Sequence, residues 1–336
     1  LKIKKTIFFR TYYEDITMIS EDYRKKYFSP IINDDKNNNI EILKRNISVW
    51  GKLGVSINKN SVNTKNINGL FLFFLNLIKR LKYTYLDKQL QSFNLLNKNN
   101  NFIIFVYLHF LHLFRTFKLK KKYKSICKKP DLTCDYVFFA MHNQPEKTTN
   151  PEGEEFDNQI NAIKLIRNVV DKKIKIYVKE HPKQLNPFTA DVRQLNSRTI
   201  HDYNLIKNLE NCELIDINID TKSIIKNSKI NFTISGTLAW QSLLENVPSI
   251  TFSNTWHSSC KASPVINNDM NRAKEQVNDL IRKDEKQIFN DLKIFESEIK
   301  NKLFFTSISE FEIKKSSNKE DHLKTNLYNA MLSSLK

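Results

Sequence analysis

From residue 131 onward, short apolar runs alternate with longer amphipathic stretches along the chain. Residues 135–140 (DYVFFA) form a short apolar run, which is typical of a buried parallel strand. Residues 156–170 carry apolar side chains at 156, 160, 163, 166 and 170, a spacing that predicts one face of a helix. The same reasoning predicts further strands at 173–178, 212–215, 229–235 and 249–252, and further helices at 197–209, 221–228 and 238–246.

This alternation predicts right-handed βαβ units, and therefore an α/β fold with a parallel, doubly wound sheet. Thr221 is expected to cap the helix that it begins. Beyond Asn267 the pattern is helical to about residue 302, and another helix is expected from about residue 319. We therefore divide the chain into a basic N-terminal domain (1–130), a Rossmann-like domain (131–310) and a C-terminal helical segment (311–336).

The N-terminal part has a less regular pattern, in which residues 7–10 could begin a strand and the whole is expected to be α/β or mainly helical. Its two apolar runs, 69–78 and 102–117, do not meet the roughly 20 apolar residues that a membrane-spanning helix needs. Core elements are the expected reading. Interfacial anchoring is the alternative, because the polybasic stretch 118–129 follows the second run directly.

The net charge of +18 falls entirely in the first 130 residues, which hold 26 Lys and Arg against 8 Asp and Glu, whereas the remainder holds 28 of each. This asymmetry favours an anionic partner for the N-terminal part, and a membrane surface with anionic lipids is our preferred interpretation. A solvated basic face is the alternative. Nucleic acid is not expected, because no helix-turn-helix, zinc-finger or RNP signature is present. The four cysteines show no CxxC spacing, so we expect free thiols and no metal site.

Polar side chains that can do chemistry follow three of the predicted strands. Ligands of a doubly wound sheet bind beyond the carboxyl ends of its strands, so these residues are the candidate site. They are His142, Gln144 and Glu146 after the first strand, Lys179, Glu180, His181 and Pro182 at the second, and Ser235, Gly236 and Thr237 at the fourth. Glu245 lies two turns along the following helix and is a candidate ligand for a ribose hydroxyl, or it faces solvent.

The Ser235-Gly236-Thr237 turn predicts a phosphate site, because a glycine admits close backbone approach and a helix start offers free amides. An ordinary N-cap is the alternative. His181 can donate to a phosphate, and Pro182 fixes the exit of the chain from the strand. A purely structural role is the alternative for His181. Neither GxxxxGK[ST] nor GxGxxG occurs, which argues against ATP hydrolysis and NAD chemistry.

Several of these segments, taken together and in this order, resemble the bacterial capsule and surface-carbohydrate biosynthesis proteins. They are HNQPE at 142–146, PEG at 151–153, DNQ at 157–159, YVKEHP at 177–182, SGTLAWQSLLE at 235–245, Pro248 and 252–256. Members of that group resemble the retaining Kdo transferases. The resemblance implies a GT-B fold, with two Rossmann-like domains facing a central cleft, and no metal. It also implies that His181, Ser235 and Thr237 hold the donor's phosphate and nucleotide and that Glu146 is the catalytic carboxylate. Asn246 departs from the usual glycine, a change that concerns the turn.

The expected function is that of a metal-independent glycosyltransferase without a cofactor. It would move a sugar, such as Kdo from CMP-Kdo, onto a bacterial surface polysaccharide or lipid-linked glycan at the inner face of the inner membrane. Glu146 would act at the anomeric carbon and Lys179 would add positive charge. A GT-B enzyme that uses a UDP- or GDP-sugar, including an epimerase, is one alternative. A non-catalytic glycan- or nucleotide-binding scaffold is another.

Overall fold

The computed structural model describes residues 8–12, 16–20, 27–28, 101–146, 148–186, 194–302, 304–305 and 328–329. The central feature is a parallel sheet built from five strands, all of which coincide with predicted ones. These are β4 (Tyr136–Ala140), β5 (Lys175–Lys179), β6 (Cys212–Leu214), β7 (Asn231–Thr233) and β8 (Ser249–Thr251). Their order in the sheet is β6-β5-β4-β7-β8, and every ladder is parallel. The predicted α/β fold is confirmed.

The helices between and after these strands also follow the predicted pattern. They are α1 (Asn101–Ile126), α2 (Gln159–Val169), α3 (Ile200–Lys207), α4 (Thr221–Asn227), α5 (Leu238–Leu244), α6 (Met270–Arg282) and α7 (Glu285–Ile299). The first turns are capped as their sequences suggest, except that Asp220, and not Thr221, caps α4 by accepting the Ser223 amide. An aspartate one position earlier has the better placed acceptor.

The sheet is buried on both faces, because alternate strand residues enter two separate apolar clusters. Val137 and Phe139 of β4 face the larger cluster, to which α1, α2, α3 and α6 contribute. Tyr136 and Phe138 face the smaller cluster, which α4 and Leu238 of α5 complete. Helices therefore cover both sides of the sheet and leave its carboxyl edge for the loops.

Helix α1, which begins in the predicted N-terminal domain, packs onto the sheet at its carboxyl edge. Leu119 and Tyr123 lie in the larger cluster, and the Tyr123 and Tyr203 rings meet edge to face with centroids 5.1 Å apart. The Tyr123 hydroxyl donates to the Ile215 carbonyl at 2.5 Å and accepts from the Glu180 amide at 3.2 Å. Among the described residues, no helix combines the length and apolar character needed to cross a bilayer.

A second, antiparallel sheet contains β1 (Phe8–Tyr12), β2 (Ile16–Ser20), β3 (Tyr27–Phe28) and β9 (Phe304–Phe305). Strand β2 pairs with the other three, so the start of the chain meets the segment that follows α7. The predicted strand at residues 7–10 corresponds to β1. The apolar run at 69–78 and nearly all of the predicted C-terminal helix lie outside the described residues, and so does a second Rossmann-like domain.

The turn after α5 explains the departure at Asn246. This residue has φ 55°, in the left-handed region, and the Val247 amide closes the helix by donating to the Ser242 carbonyl at 3.0 Å. Asparagine tolerates this conformation better than other residues with a Cβ, so it replaces a glycine here without loss of the turn.

Candidate functional site

The strand order places the candidate site at a topological switch point. From β4, the chain leads to β5 and β6 on one side and then crosses to β7 and β8 on the other. The loops that follow β4 and β7 therefore diverge, and open sheets of this type bind ligands in the crevice between such loops. Predicted site residues lie in both loops, with His142 and Glu146 in one, and Ser235 and Gly236 in the other.

His142 joins the two loops. Its Nε2 lies 2.8 Å from the Thr233 hydroxyl and accepts a long hydrogen bond from the Ser235 amide at 3.4 Å. Because an amide only donates, the neutral ring carries its proton on Nδ1. Gln159, at the start of α2, fixes the His142 backbone by accepting from its amide at 2.7 Å and donating to its carbonyl at 3.1 Å. Burial lowers the pKa of His142 to about 4, with a smaller contribution from His181.

Gly236 is required by close packing, because its φ is not positive. A Cβ at this position would lie 2.8 Å from the Thr233 hydroxyl and 3.1 Å from both Cε1 and Nε2 of His142. The group that approaches the glycine is therefore the imidazole of His142. The sequence had suggested a ligand in this role.

His181 follows β5 and caps the short 3-10 helix Pro182–Leu185. Its Nδ1 accepts from the Lys183 amide at 3.2 Å, so the neutral ring has its proton on Nε2, where it is a donor. Burial, followed by Lys183 and Lys179, lowers the pKa of His181 to about 4. The ring is thus neutral at physiological pH, and a phosphate would meet an N–H donor there.

Glu146 lies in the loop after β4 with its carboxylate half-buried. Its Oε1 accepts from Asn143 at 3.4 Å, and Gln194 donates to the other end of the Asn143 amide at 3.0 Å. The Gln144 side chain donates to the Asp157 carbonyl, and its backbone amide donates to Gln184 at 2.8 Å. The loop that carries Glu146 is therefore fixed from two sides by side-chain amides.

Ser235 and Thr237 differ in how their hydroxyls are used. The Ser235 hydroxyl donates to the Thr148 carbonyl at 2.7 Å, so it would have to rotate before it donated to a phosphate. The Thr237 hydroxyl is exposed and makes no capping hydrogen bond. The ordinary N-cap that was the alternative interpretation of this turn is therefore not what Thr237 forms.

Lys179 and Glu245 are engaged away from the switch point. Lys179 is buried and donates to the Ile219 carbonyl at 2.5 Å and the Thr221 hydroxyl at 2.7 Å, and burial lowers its pKa to about 8. Glu245 ends α5 and forms an ion pair with Lys222 at 2.9 Å. Their roles toward a donor stay predictions, and each side chain would have to share or leave these partners.

A buried ion pair behind His181 was not predicted from the sequence. Glu180 accepts from the Tyr203 hydroxyl at 2.8 Å and pairs with Arg198 at 2.8 Å, and the Glu180 and Arg198 side chains are almost fully buried. Only the position of Glu180 at a strand end hinted at this, since Arg198 lies in a polar stretch without a motif. The pair fixes residues 194–201 against the end of β5.

All four cysteines are free. Within the described ranges, no three His, Cys, Asp or Glu side chains are grouped as metal ligands would be. The predicted independence from metal stays a prediction.

No protein-family model and no curated protein matches the sequence. Among solved structures, the chain resembles UDP-GlcNAc 2-epimerase from Methanocaldococcus jannaschii, with 16% identity, TM-score 0.34, and coverage of 56% of this chain and 54% of that one. It also resembles KpsC, a beta Kdo 2,7 transferase of Thermosulfurimonas dismutans (10% identity, TM-score 0.30, coverage 54% and 62%). A third is S. aureus TarM in complex with UDP (13%, 0.34, 57% and 37%). The chain spans about half the length of these structures, and similarity at this level assigns no activity.

We predict that Gly236→Ala displaces His142. The added methyl group meets both the ring and Thr233, so the free energy of unfolding should fall by about 1–3 kcal/mol. The control is Thr237→Ala at the next, exposed position, where we expect a change within ~0.5 kcal/mol. Urea unfolding measures both. Equal effects of the two substitutions would contradict the close packing.

We also predict an acid-sensitive loss of stability. His142 has a pKa of about 4 in the folded protein against 6.5 for the ordinary group, so the unfolded chain binds more protons between these values. Stability is therefore fully present above pH 6.5 and falls as pH drops toward 4, by up to ~1.4 kcal/mol per pH unit for this group. NMR resonances of the His142 ring, assigned with His142→Gln, should not titrate between pH 7 and 5.5. A midpoint near 6.5 would refute the prediction.

Proposed function

We propose that this chain is a glycosyltransferase of the GT-B type, which binds a nucleotide sugar at the switch point between β4 and β7. The observation that carries the proposal is the convergence of two distant loops on His142, with Glu146 in one and the Ser235-Gly236-Thr237 turn in the other. A crevice at this position is where open α/β sheets take nucleotides.

The donor-facing groups suit a phosphate. His181 offers its Nε2–H as a neutral donor, and Thr237 offers an exposed hydroxyl that is not used as a cap. Hydrogen bonds from such groups stabilise the negative charge that develops on the leaving phosphate. During transfer, the bond from the anomeric carbon to the phosphate breaks and a bond to the acceptor oxygen forms. Glu146 would take the acceptor's proton, or act on the anomeric carbon directly.

For the donor, we propose a CMP-linked acidic sugar such as Kdo, and for the acceptor a bacterial surface polysaccharide or lipid-linked glycan. The resemblance of the motifs around His142, His181 and Ser235 supports this choice. A UDP- or GDP-sugar enzyme, including an epimerase of the same fold, is the second candidate. A non-catalytic glycan- or nucleotide-binding scaffold is the third.

Calorimetric titration with CMP, UDP and GDP distinguishes the donors. We expect saturable binding of CMP, weakened about tenfold by His181→Ala because a hydrogen bond to a charged group is lost. Binding of UDP or GDP without a response to CMP would refute the CMP donor and leave the transferase proposal standing.

Catalysis is tested with Glu146→Gln, which keeps the side-chain shape and removes the charge. We expect transfer from a radiolabelled donor to fall by about 10²-fold or more, the size of a lost general base, while CMP affinity stays the same. Glu152→Gln in the same segment is the control. Unchanged transfer in Glu146→Gln and His181→Ala would favour the scaffold.

We further propose that α1 attaches the protein peripherally to anionic lipids on the cytoplasmic face of the inner membrane. Tyr107, Phe110, Phe114 and Phe117 follow one another at three- or four-residue spacing and are each 51–61% exposed. They lie on the face opposite the buried residues Thr116, Leu119 and Tyr123. Lysines follow at once, and Lys118 lies over the Phe114 ring at 4.4 Å. Aromatic rings beside lysines suit the interface of an anionic bilayer.

Sedimentation with vesicles tests this attachment. We expect binding to phosphatidylglycerol-containing vesicles that salt weakens, and little binding to pure phosphatidylcholine. The double substitution Phe110→Ser and Phe114→Ser should weaken binding at least about tenfold through lost apolar burial. Phe289→Ser is the matched control, since Phe289 is 50% exposed on another helix. Equal loss in the control would refute the assignment to α1.

A further inference from the structure

A cavity of about 410 Å³ lies between α1 and residues 194–201, beside the loop that carries Glu146. This volume is within the range of small-molecule sites, which is roughly 300–1,000 Å³. The cavity is separate from the switch point, because it is lined from α1, Gln184 and 194–201 and by none of the residues at the ends of β4 and β7.

The cavity is electropositive. Its described lining contains Arg115, Lys118 and Arg198, together with two histidines, and it contains no Asp or Glu. Glu180, which pairs with Arg198, lies behind the lining and balances one of these charges. An excess of positive charge therefore remains and favours an anionic ligand.

Two lining side chains also have unused hydrogen-bonding groups. Within the described part of the chain, Nη2 of Arg198 and Oε1 of Gln194 are buried without a partner. A buried group without a partner is costly, and one in the wall of a cavity is satisfied by a ligand or by water. The arginine needs an acceptor and the glutamine oxygen needs a donor, so the fitting ligand has an oxyanion and hydroxyl groups on one small frame.

From this complementarity we propose that the cavity binds a polyhydroxylated oxyanion, that is, a sugar acid or a sugar phosphate. The guanidinium of Arg198 receives the carboxylate or phosphate, and Gln194 accepts from a hydroxyl. Arg115 and Lys118 add charge at the rim.

The same glutamine connects this site to the loop of Glu146. Gln194 donates to Asn143 at 3.0 Å, and Asn143 donates to the Glu146 carboxylate at 3.4 Å. Ser197 donates to the Gln144 carbonyl at 2.9 Å, so a second bond ties this wall of the cavity to the loop. Occupancy of the cavity therefore fixes the loop that carries the proposed catalytic carboxylate.

Titration of the full chain with D-glucuronate and D-glucose 1-phosphate tests the proposal, with D-glucose and inorganic phosphate as partial probes. We expect saturable binding of at least one complete probe, tighter by about tenfold than either partial probe, because one ligand satisfies both groups. The tighter complete probe identifies the anion as carboxylate or phosphate. Saturating CMP should leave the binding unchanged, which separates it from the proposed donor site.

Two substitutions keep the test decisive. Arg198→Lys retains the charge and removes Nη2, and Ile200→Trp fills the cavity from a position that is 39% exposed. Each should weaken binding at least about tenfold. Ile294→Trp, at a position 43% exposed on α7, is the matched control and should bind normally. Absence of saturable binding to the intact protein, competition by CMP, or full affinity in the folded Ile200→Trp variant would overturn the proposal.

Discussion

The imidazole of His142 lies between the ends of β4 and β7, which adjoin in space although Thr233 is 91 positions further along the chain. It fits there because Gly236 has no side chain and because Gln159 holds its backbone in place. This contact fixes the distance between the two loops of the switch point. The positions of Glu146 and of the Ser235 turn relative to each other both depend on it.

Burial sets the protonation of this region. His142 and His181 are neutral at physiological pH because the desolvation of a cation outweighs any gain from nearby groups, and the lysines beside His181 act in the same direction. A neutral imidazole with a defined tautomer donates at a fixed atom. That property favours the recognition of a phosphate oxygen over general electrostatic attraction.

Polar side chains in the interior organise the neighbouring segment. Glu180 receives Tyr203 and Arg198, and the Tyr123 hydroxyl of α1 accepts from the Glu180 amide. These bonds join α1, the end of β5 and residues 194–201 into one unit. The loop of Glu146 is tied to the same unit through Gln194, so its geometry depends on contacts at some distance from its own sequence.

Much of the α/β domain was predictable from sequence, because the apolar periodicity of strands such as 135–140 and helices such as 156–170 is a local property that burial enforces. The strand ends therefore also identified His181 and Ser235 as neighbours of the same edge. The prediction of a second Rossmann-like domain lies outside the described residues.

What the sequence by itself determined was the set of elements, the parallel class of the sheet and the edge at which the polar residues gather. Only the tertiary structure decided that His142 packs on Gly236, that Lys179 turns toward Ile219, that Glu245 pairs with Lys222, and that Arg198 reaches Glu180. The reason is physical. Periodicity reports which face of an element is buried, whereas the partner of a polar group depends on strand order and long-range packing, which no local pattern encodes.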